Sequence, residues 1–171
     1  MFGPWAAIAA VMSLLAGPAG LAPPPQCLLP PVSAPVVDPF REPACEWCPG
    51  NRGLTYRVAA RTAVRAAAAG RVSFSGVVAG TRYVVVEHTA GGLRATYGGL
   101  ASTSLSVGDA VATGAVVGRA AGELHFGLRR GETYLDPAPL LGELVERARL
   151  VPTDGTPRRP ARPPRVVCPA D

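Results

Sequence analysis

The stretch Arg82-Tyr-Val-Val-Val-Glu87, the turn residues Ala90-Gly91-Gly92, and the run Leu93-Arg-Ala-Thr-Tyr97 decide the fold. Two short β-branched and aromatic runs on either side of a Gly-Gly turn spell a β-hairpin. Working outward, Arg71-Val-Ser-Phe-Ser75, Ala115-Val-Val117 and Glu123-Leu-His-Phe-Gly-Leu128 read as further strands. Val107-Gly108-Asp109 and Thr113-Gly114 mark turns around another short strand. Only Pro139 to Leu150 carries a helical pattern, with Leu140, Leu141, Leu144 and Val145 on one face and Glu143, Glu146 and Arg147 on another. The expected fold is mostly β: a single-domain antiparallel sheet with one short C-terminal helix.

Composition agrees. Among 171 residues there are 20 Gly and 19 Pro, and each inside a helix costs about 1–3 kcal/mol relative to Ala. No sustained heptad or fixed-period repeat is present, which excludes a coiled coil and a helical repeat. The net charge of +5 comes from 17 Arg and no Lys. Four of these, Arg158, Arg159, Arg162 and Arg165, fall in a tail where no aromatic residue accompanies them. Nucleic-acid binding, which needs a basic stripe interleaved with stacking rings, is therefore not expected.

The two ends read differently from the middle. Residues 1–22 lack charge and centre on the apolar run Trp5 to Leu15, too short for a span of about 20 residues. They are expected to be a secretory signal, with an uncleaved N-terminal anchor as the alternative and the only expected link to a membrane. Residues 23–44 are Pro-rich and read as an extended linker, and 151–171 as a disordered Arg/Pro tail. Export places Cys27, Cys45, Cys48 and Cys168 where thiols pair. Of three connectivities, a tight Cys45–Cys48 bridge is favoured, leaving Cys27 and Cys168 to tie the ends together if they approach. A redox pair or half a zinc site at Cys45-Glu-Trp-Cys48 is poorly supported: Pro43, Pro49 and Gly50 mark a loop, and a second close pair is missing.

Six pieces then stand in a familiar order: Ala63 to Val72, Tyr83 to His88, Thr96-Tyr97-x-x-Leu100, Val107-Gly-Asp-x-Val-x-x-Gly114-x-x-Val-Gly118, Leu124-His-Phe126, and Tyr134-Leu-Asp-Pro-x-x-Leu-Leu141. Together they resemble LytM/lysostaphin-type peptidoglycan endopeptidases, with their duplicated hybrid motif sheet core. The resemblance spans about residues 49–142, so we take 45–142 as the domain and 143–150 as the end of its helix. It implies a zinc-dependent endopeptidase of the bacterial wall. In that family the metal is held by the His and Asp of His-x-x-x-Asp and the second His of His-x-His, leaving a position for activated water.

Laid on this chain, the resemblance finds most of that constellation replaced. Asn51 and Thr55 stand at the His-x-x-x-Asp positions, Gly99 at the catalytic-loop His of Tyr-x-His, and Glu123 at the first His of His-x-His. His125 alone matches a ligand, and the only other His is His88, read as a turn residue. Glu123 and His125 lie two apart on a strand and so share a face, but Asn and Thr oxygens are poor zinc donors. No cofactor is expected, with zinc as the alternative if reduced Cys45 and Cys48 joined His125 and Glu123. Without a metal, Glu123 supplies at most a general base, worth about 10²–10⁴ in rate.

The expected role is thus an exported, envelope-associated, catalytically degenerate domain. It binds peptidoglycan through a groove of Asn51, Thr55, Arg94, Tyr97, Glu123 and His125, or regulates a cell-wall hydrolase. An active endopeptidase with a rebuilt metal site is the rival reading. The Val107 to Gly118 pattern is also similar to biotinyl and lipoyl carrier domains, but those modify a Lys and this chain has none.

Overall fold

A computed structural model describes residues 27–45, 47–88, 91–145 and 165–168. Nine strands form one antiparallel sheet. They are β1 (Val36–Asp38), β2 (Leu54–Arg57), β3 (Ala63–Arg65), β4 (Gly70–Val78), β5 (Thr81–His88), β6 (Leu93–Ser102), β7 (Ala110–Val111), β8 (Val116–Arg130) and β9 (Thr133–Leu135). The order across the sheet is β1-β2-β8-β6-β5-β4-β7, with β3 and β9 also pairing with β8. The runs expected as two separate strands, at 115–117 and 123–128, fall, Ala115 aside, on the single long strand β8, which pairs with β2, β3, β6 and β9 along its length.

The hairpins follow from the residues. β4 and β5 meet with Val78 opposite Thr81, leaving Ala79 and Gly80 as a two-residue turn with φ of 48° and 82°. Positive φ at both central positions is the turn whose twist matches that of the paired strands. One face of the sheet is apolar: Val84, Val86, Ala95, Tyr97, Val117, Leu124, Phe126 and Leu128 are all fully or almost fully buried. Tyr97 and Phe126 sit in register on neighbouring strands with ring centroids 5.4 Å apart and tilted by 47°, a favourable aromatic arrangement.

Both ends depart from expectation. The Pro-rich segment is not a free linker: Leu28, Pro31 and Val32 are buried, Leu29 N–H donates to the Ala67 carbonyl at 2.8 Å, and β1 adds an edge strand to β2. The C-terminal helix is absent over its described part. Ala138–Leu140 makes one 3-10 turn, and Glu143–Val145 (β10) pairs with Arg165–Val167 (β11) as a two-stranded sheet. Residues 146–150 of the expected helix lie outside the described residues. The reason for the early stop is competition for backbone groups. The Leu140 carbonyl accepts from Leu28 N–H and Gly142 N–H donates to the Leu28 carbonyl, each at 2.8 Å, so the chain pairs with the N-terminal segment instead of with itself.

The Arg/Pro tail likewise contributes β11, and a disulfide joins Cys168 to Cys27; its residues 151–164 and 169–171 lie outside the described ones. A second disulfide joins Cys45 to Cys48. No helix among the described residues is long and apolar enough to cross a membrane.

Candidate functional site

Opposite the apolar face, strand register lines up one transverse row of residues: Asp38 on β1, Thr55 on β2, His125 on β8, Gly98 on β6 and Tyr83 on β5. Register partners project to the same face, so the row brings an acid, a hydroxyl, an imidazole and a phenol side by side. Glycines shape the surface. A Cβ at Gly98 would stand 2.5 Å from the Tyr83 ring and 3.5 Å from the His125 Cβ, and one at Gly127 would stand 3.4 Å from His125 Nε2. The Tyr83 ring therefore packs over Gly98 and the half-buried His125 ring lies over Gly127, side by side on this face.

Asn51 closes the other side. Its side-chain nitrogen donates to the carbonyls of Asp38 at 3.0 Å and Pro39 at 3.1 Å, and to Thr55 Oγ1 at 3.4 Å. Its backbone exchanges 2.9 Å hydrogen bonds with Arg41 in both directions. Asn51 is 7% exposed; it anchors the strand β1 that delivers Asp38.

Electrostatics set the charge of the row. Burial holds the His125 imidazole below the usual histidine range, and the nearby Asp38 carboxylate only partly opposes this, so the ring is neutral at neutral pH. Asp38 is held below its usual range mainly by hydrogen bonding to Arg41, with burial opposing and the charges of Arg41 and His125 adding to the lowering. The Arg41 guanidinium grips the Asp38 carboxylate through both Nη atoms. Asp38 therefore enters the site already paired.

Residues 49–137, just over half of the chain, match Peptidase family M23. The chain belongs to peptidase family M23. An uncharacterized protein of Mycobacterium tuberculosis, Rv2891, is 31% identical over 133 residues, covering 70% of this chain and 53% of that protein; a Mycobacterium bovis protein, Mb2915, matches to the same extent. This chain thus spans about half the length of the curated relatives it matches. Among solved structures, Helicobacter pylori Csd3 superposes with a TM-score of 0.60 at 26% identity, over 67% of this chain and 33% of Csd3. The catalytic domain of lysostaphin from Staphylococcus simulans gives 0.55 at 19% identity, over 62% of this chain and 90% of that domain. The SpoIIQ–SpoIIIAH pore-forming complex gives 0.56 at 20%, over 68% of this chain and 92% of the matched one. The last two similarities concern the fold alone.

M23 peptidases generally use zinc, and the residues present in this M23 chain do not fit it. Asn51 and Thr55 hydrogen-bond to each other, and the Asn51 nitrogen is a donor already spent on two carbonyls. A donor N–H cannot ligate a cation. Among the described residues, no three His, Cys, Asp or Glu side chains stand close enough to share a metal ion. Cys45 and Cys48 are bonded to each other and offer no thiolate. Asp38 and His125 remain as a pair, short of the three protein ligands a catalytic zinc takes.

The other expected site residues separate. Gly99 has φ of +80°, and a Cβ there would run into the Glu123 carbonyl oxygen, so the backbone itself excludes a side chain at the catalytic-loop position. Glu123 is exposed beside an irregularity where β6 advances two residues, Gly98 to Leu100, while β8 runs from His125 to Ala120; its register partner is Arg57. Arg94 lies on the site face but four residues along β6 from Gly98, about 13 Å at strand rise, and faces Glu87 at 3.8 Å. Tyr97 is a correction: expected in the groove, it is 0% exposed, and its hydroxyl accepts the Ala67 N–H at 2.8 Å. It is a core residue. Asp38 and Tyr83 were missed as site residues, because only register, which no short-range pattern supplies, places them beside His125.

Proposed function

We propose that this M23 domain binds peptidoglycan rather than cutting it, as an exported protein of the cell envelope. The observation that carries the reading is the Asn51–Thr55 hydrogen bond at the two positions where the family resemblance puts metal ligands. These residues have taken up a structural task, tying β1 to β2, and their amide and hydroxyl oxygens are poor zinc donors. The surrounding row of Thr55, neutral His125 and Tyr83 suits an extended peptide, which is met by hydroxyl, imidazole and backbone groups rather than by a charge. Two disulfides support an oxidising compartment. The relatives support a role without catalysis only by analogy: one structural neighbour belongs to a pore-forming complex with a partner protein.

The test combines metal analysis of the oxidised protein with co-sedimentation on purified sacculi and an assay for new amine termini. The expected result is retention on sacculi without zinc and without amine release. Retention should weaken about tenfold, or 1.4 kcal/mol, in His125→Ala or Tyr83→Ala. Stoichiometric zinc with amine release would establish an active endopeptidase instead. No retention, together with altered activity of an added wall hydrolase, would transfer the role to regulation of that enzyme.

A further inference from the structure

The two edges of the large sheet are finished differently. β1 closes one of them with three residues ending on Asp38, flanked by Pro35 and Pro39. Proline and charge are the usual guards against a second chain adding to an edge. The other side ends in β7, whose two residues cover β4 only at its start. Val72 is the last β4 residue held there: it donates to the Asp109 carbonyl and accepts from Gly108 N–H, each at 2.9 Å. The register then shifts between Val72 and Phe74, and beyond this bulge the edge runs bare to the turn at Ala79. Phe74, Val77 and Val78 are 39%, 54% and 54% exposed, and Ser73 to Val78 contains neither a charge nor a proline.

A bulge reverses which residues turn their backbone outward. Val72 points outward before it, so Ser75 and Val77 point outward after it. The turn gives the same answer, because Val78 and Thr81 close a two-residue hairpin and face each other. The outward N–H and C=O groups of Ser75 and Val77 meet no backbone partner among the described residues; only the Ser75 hydroxyl is engaged, donating to the Leu105 carbonyl at 2.7 Å.

We propose that this bare edge of β4 is a dimerisation strand that pairs antiparallel with the same strand of a second copy of the chain. Alternating N–H and C=O groups at strand spacing are matched by another strand edge, and the residues select the copy. A two-fold axis perpendicular to the sheet keeps every residue on its own face. With Gly76 on that axis, Ser75 lies opposite the partner's Val77, and Phe74 opposite the partner's Val78. Each Ser75–Val77 pair then exchanges two hydrogen bonds, which satisfies every outward group of both segments. Phe74 against Val78 is a favourable aromatic and β-branched cross-strand pair, and no like charges oppose one another. Gly76 brings no side chain to the axis, and the Phe74 ring lies over it, with Cζ 3.0 Å from where a Cβ would stand. The lengths also agree: the incoming strand reaches its turn after Val78, opposite Phe74, just short of Val72, where Gly108 and Asp109 hold the edge. One strand per copy buries less than the about 800 Å² per partner of stable complexes, so the dimer is weak and concentration-dependent.

The axis also extends the site row. Gly76 is in register with Tyr83, Tyr83 with Gly98, and Gly98 with His125. The two rows therefore meet end to end, with their imidazoles about 34 Å apart at seven strand spacings. A dimer would hold the wall polymer at two points; this consequence rests on the proposed wall binding, whereas the dimer itself does not.

The experiment is sedimentation velocity on the oxidised full chain from about 10 μM to about 1 mM, the range of a weak association. Wild type should pass from monomer to dimer, and hydrogen exchange should slow at the Ser75 and Val77 amides as concentration rises. Val77→Pro removes an outward donor without touching the β5 ladder and should stay monomeric with an unchanged Tm. Val78→Lys, on an exposed site, should weaken the dimer at least about tenfold and serves where the proline variant fails to fold. Monomer throughout, a dimer unchanged by both substitutions, or open-ended growth beyond a dimer overturns the proposal. Sacculus retention separates the two readings. Wild type should be held more tightly than Val77→Pro; a dimer without any retention removes only the wall-binding role, and retention by a strictly monomeric wild type removes only the dimer.

Discussion

The side-chain nitrogen of Asn51 donates to the hydroxyl of Thr55 across 3.4 Å, and the two residues occupy the positions where the M23 resemblance calls for a metal-binding His and Asp. The two side chains thus partner each other there, in place of the imidazole and carboxylate that the resemblance calls for. Asn51→His with Thr55→Asp would give three family-type ligands together with His125, and this double variant is expected to acquire zinc, read as stoichiometric metal after dialysis, with a metal-free wild type as the expected control. It should also lose about 1–3 kcal/mol of stability, since the Asp38 and Pro39 carbonyls forfeit their donor. Hydrolysis should not return with it. Adding Gly99→His forces a side chain onto a backbone at φ +80° and against the Glu123 carbonyl, which costs about 1–3 kcal/mol more.

How much of this was legible in the sequence depends on range. The β5–β6 hairpin and the Leu124, Phe126, Leu128 alternation are local, and period-two patterning revealed them. Tyr97 was misassigned because its face is decided by register against Phe126, a long-range pairing. Asp38 was hidden in a segment whose prolines read as linker, although β1 needs only three residues to join the sheet. The helix expected from Leu140, Leu141, Leu144 and Val145 failed because a four-residue apolar cluster fits a short strand equally well, and pairing with Leu28 and with β11 decided between them.

Tyr97→Phe tests the reassignment of that residue. Removing the hydroxyl leaves the buried Ala67 N–H without its 2.8 Å acceptor, so urea unfolding should show a loss of about 1–3 kcal/mol with an unchanged m-value. Sacculus retention should stay at the wild-type level at temperatures where both proteins are folded. A retention defect with unchanged stability would return Tyr97 to the groove.

The β4–β5 turn holds Ala79 at φ 48° next to Gly80. An alanine in the left-handed region is strained, whereas Asn-Gly is the preferred pair for this two-residue turn. Ala79→Asn should therefore stabilise the protein by about 0.5–1 kcal/mol, seen as a higher urea midpoint. A lower midpoint would contradict the turn geometry.

His88 is 4% exposed; its Nδ1 lies 3.2 Å from the Ala69 carbonyl, and Nε2 has no hydrogen-bond partner among the described residues. Burial holds its pKa below the usual 6.5, with the backbone hydrogen bonds opposing. The unfolded chain then binds more protons than the native state as pH falls through 6.5, so stability is fully present above that pH and declines until the lower folded value is passed. His125 shifts in the same direction. Chemical denaturation between pH 8 and 5 should show this fall in wild type and a shallower one in His88→Gln. An identical slope in both proteins would mean that His88 does not contribute.

The two disulfides should differ sharply in their effect on stability. Cys27–Cys168 joins residues 141 apart in sequence, whereas Cys45–Cys48 spans 3. In the chain-entropy account, cross-linking the long loop stabilises by about 5 kcal/mol and the short one by about 2 kcal/mol. Cys27→Ser/Cys168→Ser should accordingly lower Tm far more than Cys45→Ser/Cys48→Ser. The long bridge also secures the pairing of Leu28 with Leu140 and Gly142, so its removal should expose those amides to hydrogen exchange while the His125 row keeps its protection. Equal shifts in Tm for the two pairs, or loss of protection at His125 when only the long bridge is cut, would show that the termini and the site unfold as one unit.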